Sequence, residues 1–439
     1  HNALLSIICN WKLIPFLIFL EEFGVESYKI SYYLMSESFH CAMGPILTLA
    51  QIFGLLPLAG VRATTPLKLR FSKFSFRTFY ASLITTLILF MAILSVIHMI
   101  RTLNSDTFKV HGGIAAATVG AAFYGNTCLA TILFFWLSPR WVLLQRDWRA
   151  MEQYIDSNKP ERPRLRWKFF FITSTVLLLA LTEHILSVFN NSEDFISDEN
   201  QNKTFTGFLE IYTANSHAFI LVDYNILLGI YIFIVSKLAT FTWNFMDIFI
   251  MLVATGLADR YKSLNKKIAK AAVNNRAGVD WRELREDYAA LSSIVKKVDE
   301  DLSPIILLSF ANNLYFICLQ LLNGLSPSDS TFISAFYFFG SFAFLVGRTC
   351  LVTLLTARIN DQSKVALPFI YNCSSSSFNL ETQRLQYQLT TDDIALTGMR
   401  FFYITRNFML AVAGAIVTYE VVLLQFNVAM KNSEANGNS

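Results

Sequence analysis

The sequence predicts an all-α membrane protein. It has seven transmembrane helices, an N-terminus in the cytoplasm, a C-terminus outside, and long helices that extend into a cytoplasmic stalk. Three observations predict this. Of 439 residues, 54% are hydrophobic and only 15% charged, with a mean hydropathy of +0.43, whereas soluble domains carry nearer 25% charge. Seven apolar windows of the length that crosses a hydrocarbon core follow one another along the chain. Lys and Arg alternate between dense and sparse from one connection to the next.

The elements follow in order. Residues 1–78 read as a cytoplasmic N-terminal segment. It opens on His1 rather than Met, as a trimmed or incomplete sequence would. The apolar run "ALLSIICNWKLIPFLIFLEE" (3–22) is interrupted by Lys12 and Pro15 and closed by acids, so it is expected to be an interfacial or packed helix rather than a cleavable signal. The spans lie near 79–100, 113–137, 167–189, 218–257, 302–322, 332–357 and 401–427. The fourth window is twice what a bilayer needs and contains no Pro or turn cluster, so it predicts one helix of roughly 60 Å that overhangs the membrane. Residues 259–300 repeat apolar positions at helical spacing with charges opposite, and Trp281 to Leu302 reads as a cytoplasmic helix entering the fifth span. The third, fourth, fifth and seventh helices are expected to build the stalk. Residues 358–400 are read as a cytoplasmic linker and anchor helix, with "CSSSSF" (373–378) a flexible connector, and 428–439 as an extracellular tail.

Orientation rests on charge. The segments 1–78, 138–168, 259–297 and 358–406 together hold thirty Lys and Arg, and the three alternate loops hold only Arg101, Lys109 and Lys203. The dense side is cytoplasmic. The second outer loop, 190–216, carries glycosylation sequons at Asn190 and Asn202 beside four acids, which agrees. No Cys falls in an outer loop, so no disulfide is expected.

The sequence lacks a phosphate-binding loop, a metal-spaced His/Cys cluster and the signatures of intramembrane proteases. An enzyme is not expected, nor a cofactor, a metal or a nucleic-acid partner. The informative residues are polar groups inside spans, since each is costly unless it faces protein or water. The third span holds Glu183 and His184; the fourth holds Asp223, Lys237, Trp243, Asn244 and Asp247; the fifth holds Asn312, Asn313 and Tyr315; the sixth holds Tyr337 and Arg348. Trp243 and Asp247 are four apart and share a helix face. Acids, amides and aromatics gathered in one bundle suit a polyhydroxylated ligand, with Tyr124 and His217 as further candidates. The same residues also fit mutual pairing that orders the bundle, with Asp247 or Asp361 as the partner of Arg348.

"TYEVVLLQF" (Thr418–Phe426) resembles the Thr-Tyr, five-residue, Gln-Phe signature that ends the last helix of insect gustatory receptors. Its Glu420 departs from the generic apolar pattern in the manner of the sugar-sensing branch. "AQIFGLLPLAGVR" (50–62), "EH" (183–184), "WNFMDIFIM" (243–251), "NNLYF" (312–316), "GRT" (347–349) and "TTDDIALTGMRFFYITR" (390–406) are similar in the same order, so the resemblance covers about residues 45–427. It implies a tetrameric, ligand-gated, nonselective cation channel in the plasma membrane of sensory neuron dendrites. It also implies a sugar pocket in the outer half of each subunit's six-helix domain (79–357) and a central pore lined by the last helix. The subunit would work as a homotetramer or with related subunits, in contact with sugar, cations and membrane lipid. Thr418, Val422 and Gln425 fall on one stripe of that helix and are expected to face the pore, with Phe426 on the adjacent stripe. Two alternatives from other classes fit the sequence less well. A seven-span G-protein-coupled receptor requires the N-terminus outside, against the charge count. A sugar transporter would want paired repeats, and none is visible.

Overall fold

The computed structural model describes residues 38–103, 113–156, 164–191, 205–213, 223–274, 280–324, 332–373 and 378–437. Residues 3–22, His217, Asn202 and 374–377 lie outside these. So do the side chains of Asn190, Phe426 and the tail from 426 onward.

The described chain is almost entirely helical. α1 (Phe39–Ile52) precedes a two-stranded antiparallel ribbon, β1 (Leu58–Ala59) with β2 (Arg70–Phe71). Then come α2 (Phe76–Thr102), α3 (Gly113–Ile155), α4 (Leu165–Asn191), α5 (Phe205–Thr213), α6 (Ile226–Asn274), α7 (Trp281–Gly324), α8 (Phe332–Lys364), α9 (Leu367–Tyr371), α10 (Leu380–Thr391) and α11 (Arg406–Gly437). Six of them, α2, α3, α4, α6, α7 and α8, are long and apolar enough to cross a membrane. α11 is a 32-residue helix that packs on α7 and α8, with Ile416 against the Phe316, Ile317 and Leu345 cluster, and leaves Leu410, Val417, Val421 and Val422 exposed.

Sequence and structure differ in four places. α6 runs 49 residues without a break but starts at Ile226, so its excess length over a bilayer lies at the charged C-terminal end. The last helix starts at Arg406 rather than 401, because Thr397–Tyr403 bridges and Ile404 N–H donates to Leu396 O, closing 396–404 into a turn. Met399 and Arg400 hold left-handed φ values of 49° and 62° in that turn, and Asp299 of α7 accepts from the Thr397 N–H and hydroxyl. Thr405 Oγ1 then caps the Phe408 N–H. The stalk is the third difference. Its long members are α3, α6, α7 and α8, with α4 only 27 residues long. Residues 138–155 look charged in sequence, yet Trp141, Leu144, Trp148, Met151 and Ile155 recur at helical spacing and are buried. α1 was also not expected as a helix. It is seated by Phe39, stacked on Trp148 at 3.9 Å, and by Glu152 accepting from the Phe39 N–H.

The stalk core is tied by charges. Arg260, 3% exposed, meets Glu152 at 2.8 Å and Asp156 at 3.1 Å. Asp259 meets Lys168 at 2.5 Å and Arg358 at 3.2 Å. Buried pairs add little net stability but fix register, because a misaligned partner leaves a charge uncompensated. The arrangement therefore locks α3, α4, α6 and α8 at one relative height.

Candidate functional site

Three helices present polar stripes to one another. On α6 Phe233, Lys237, Thr240, Asn244 and Asp247 recur at three- and four-residue steps. α7 presents Ser309, Asn313, Phe316 and Gln320 in the same way, and α8 presents Tyr337, Ser341 and Arg348. α4 adds Glu183 and His184.

The deeper part is a closed knot. Asp247 is 0% exposed; Ser309 Oγ donates to its Oδ1, and Asn313 Nδ2 donates to its Oδ2 at 3.0 Å. Arg348 Nε lies 2.9 Å from the same Oδ2, an ion pair whose N–H is not aligned along the contact. The other guanidinium nitrogens donate to Asn244 Oδ1 and, at 3.0 Å, to Asn313 Oδ1. Trp243 Nε1 donates to that same Asn313 oxygen at 3.1 Å, its ring lies 4.6 Å from the guanidinium carbon, and Phe316 packs at 4.7 Å. Arg348 thus pairs with Asp247, while Asp361 pairs with Arg406. The carboxylate of Asp247 has its acceptor positions filled from within the chain.

The outer part is less complete. Ser341 Oγ donates to Glu183 Oε1 at 3.0 Å and receives a bond from Gln320 Nε2 at 2.9 Å. Tyr337 lies against Glu183, Ser187 and Ser341. Lys237 Nζ donates to the Tyr212 hydroxyl at 3.0 Å and sits over the Tyr212 and Phe233 rings at 4.7 and 4.5 Å, which seats α5 on α6. Among the described residues, Gln320 Oε1 and His184 Nε2 are buried with no hydrogen-bond partner. Gln320 Oε1 thus ends the Gln320–Ser341–Glu183 chain with an unmet acceptor, and the charged neighbour of His184 is Lys237.

The remaining candidates lie elsewhere. Asn312 accepts from Asn126 Nδ2 at 2.8 Å and the Tyr315 hydroxyl meets Thr118 at 2.7 Å, so both join α7 to α3. Tyr124 packs in an apolar cluster with Ile88, Met91, Ile232 and Val235. On α11, Thr418 hydrogen-bonds back to Gly414 O, and Thr418, Val422 and Gln425 are all exposed in the single subunit. Ser309, Gln320, Ser341 and Tyr212 escaped sequence reasoning. The signal that finds the first three is the three-and-four spacing from Asn313 and Arg348, both of which stand out as amide and cation inside spans.

Three routes link this cluster to the last helix, the first being Ile416 of α11 packed against Phe316, Ile317 and Leu345. α8 carries Ser341 and Arg348 and also Asp361, which holds Arg406 at 2.7 Å. α7 carries Phe310, which packs on Phe402 and Phe408 at 5.7 and 5.4 Å, themselves stacked at 4.5 Å.

Residues 23–435 match the trehalose receptor family. The chain is 33% identical to the Drosophila melanogaster gustatory receptor for sugar taste 64f over 404 residues, which covers 90% of this chain and 82% of that protein. It is 33% identical to gustatory receptor for sugar taste 64a over 421 residues, covering 92% and 88%, and 32% identical to gustatory receptor 5a for trehalose over 405 residues, covering 90% and 86%, both from the same organism. The relatives are receptors, not enzymes. Among solved structures, the insect olfactory receptor OR5 from Machilis hrabei aligns with a TM-score of 0.64, covering 88% of this chain and 97% of that one at 14% identity. Its complex with eugenol aligns at 0.63. At that identity the likeness speaks for the fold alone.

Proposed function

The chain belongs to the trehalose receptor family of insect gustatory receptors, and from that premise we propose that it is a sugar-gated, nonselective cation channel of the plasma membrane that acts as a sweet-taste receptor. Four subunits surround an axis, with the N-terminus inside, and α11 lines the pore. The exposed apolar surface of α11, at Leu410, Val417, Val421 and Val422, supports an arrangement in which neighbouring copies cover it. An epitope tag after Ser439 labels intact cells under this orientation and one before residue 1 does not; the reverse pattern would end it.

The observation that carries the ligand reading is the outer wall of Glu183, Ser341, Tyr337 and Gln320, where Gln320 Oε1 is unmet, with the second unmet atom, His184 Nε2, toward Lys237. A mono- or disaccharide supplies donors and acceptors to that wall while Trp243 forms its floor. Asp247, Asn244, Asn313 and Arg348 act beneath it as a rigid base that holds α6, α7 and α8 in register. Sugar favours the open state only to the extent that it binds that state more tightly. The levers are α8, through Asp361 and Arg406, and α7, through Phe310 on Phe402 and Phe408. Thr418, Val422 and Gln425 face the axis, and an apolar ring of four Val422 closes the pore by dewetting.

The test is current in an excised patch, without nucleotide, from cells that have no sugar response of their own. Sugar should evoke cation current in the wild type. Glu183→Gln and Gln320→Leu should each shift the dose-response curve about tenfold, the effect of one hydrogen bond of ~1.4 kcal/mol, at unchanged surface labelling. Wild-type sensitivity in both would place the pocket elsewhere.

A further inference from the structure

The connection between α1 and α2 takes no part in the cluster above, yet it is a built structure. Gln51 Nε2 donates to Leu56 O at 3.0 Å and Leu58 O at 2.6 Å, and the Tyr80 hydroxyl donates to Ile52 O at 2.7 Å. Gly54 and Gly60 hold φ values of 77° and 81°. A Cβ on Gly60 would come within 2.3 Å of Lys68 O, so that turn admits only glycine. These features leave a groove of about 420 Å³, walled by Ile52, Leu55, Pro57, Phe76 and Tyr80 with Arg77 at its edge.

The surroundings of the groove are one-sided in charge. From Ser38 to Leu103 the sequence contains no Asp or Glu, while Arg62, Lys68, Arg70, Lys73 and Arg77 fall within sixteen residues. All five are exposed and none makes an ion pair among the described residues. Interleaved with them are Phe74, Phe76 and Phe79 at 100%, 82% and 67% exposure. The patch continues into the apolar outer face of α2, with Leu83, Phe90 and Ile93 exposed. Exposed rings favour the interface between headgroups and acyl chains, and unpaired cations favour anionic headgroups.

We propose that this groove binds one anionic phospholipid, with its headgroup on Lys73 and Arg77 and an acyl chain along Ile52, Leu55 and Phe76. Two facts choose the occupant. The site joins an apolar trough to uncompensated positive charge, which a lipid anion matches at both ends. It is also continuous with a helix face that is itself apolar and exposed. Under the orientation proposed above it meets the inner leaflet, the anionic one.

The experiment uses the full-length protein, purified with equal phosphatidylserine and phosphatidylcholine and examined by native mass spectrometry. Phosphatidylserine should be retained in preference. Lys73→Gln with Arg77→Gln should lower its retention about 25-fold, at about fivefold for each cation near an anionic surface, and leave phosphatidylcholine unchanged. Ile52→Trp narrows the groove without altering charge and should lower retention of the same lipid. Equal retention of both lipids by the wild type, wild-type preference in the double variant, or unchanged retention in Ile52→Trp would each overturn the site. Lipid retention is read without sugar, so this proposal and the channel reading can fail separately.

Discussion

Asp247→Ala is the substitution that best separates a structural role from a ligand contact. The Asp247 side chain is 0% exposed and that of Arg348 2%, with Nε 2.9 Å from Oδ2. Removing the carboxylate leaves a guanidinium buried among α6, α7 and α8, with only the Asn244 and Asn313 oxygens as partners. Breaking a buried pair from one side costs about 3–5 kcal/mol, much of it the penalty for the orphaned charge. The free Ser309 hydroxyl and Asn313 amide add a lost bond each, at about 1 kcal/mol. Against a total folding stability of about 5–15 kcal/mol, that is a large fraction. Asp247→Ala should therefore lower the melting temperature in detergent, read by fluorescence-detected size exclusion, and reduce surface biotinylation. Asp247→Ala combined with Arg348→Met removes the charge at both ends and should recover a substantial part of both readouts. If Asp247→Ala melts and traffics like the wild type and loses only its sugar response, the knot is not the base of the bundle and Asp247 is a ligand contact.

Further outcomes follow from the same geometry. Val422→Ala or Gln425→Ala should give cation current without sugar, or altered ion selectivity, at unchanged expression; tight closure and normal selectivity in both would move the pore to another face of α11. Arg406→Ala and Asp361→Ala should each reduce maximal sugar-evoked current more than sugar sensitivity, and the exchange Arg406→Asp with Asp361→Arg should restore part of it; equal loss in the exchanged protein would deny the link. In the stalk, burial pushes the Asp287 carboxyl up to about 6, against the pull of Lys267 3.4 Å away, while Glu283 and Asp156 push it further up. An acid raised on folding contributes stability that is complete below its unfolded value near ~4 and lost as pH rises through the folded one. Asp287→Asn should accordingly melt above the wild type at about pH 7.5, by roughly half that margin near about pH 5, and at the same temperature below about pH 4. A gap independent of pH would refute the shift.

The sequence by itself determined the class of molecule. Apolar windows the length of a bilayer, and the periodic apolar positions of 259–300, are local properties, and helices form from local spacing. The terminal Thr418–Phe426 signature and the ordered motifs before it were enough to reach the family. It also exposed the groups that matter, since Trp243, Asp247, Asn313 and Arg348 are conspicuous inside spans. What it did not decide is which of them meet. Asp247 and Arg348 are a hundred residues apart, Glu183 and Ser341 more than that, and the rotation of each helix about its axis is set by packing with its neighbours. Only the tertiary structure decided that Asp247 is closed off by Arg348 while Gln320 keeps an unmet oxygen on the chain through Ser341 to Glu183. It alone moved the start of the last helix to Arg406, because the turn at 396–404 is held by Asp299 from a different helix. The stalk shows the same limit. The charged stretch 138–155 becomes core only because α6 and α7 bring apolar faces and counter-charges to it, and a periodicity read along one helix carries no record of its partners.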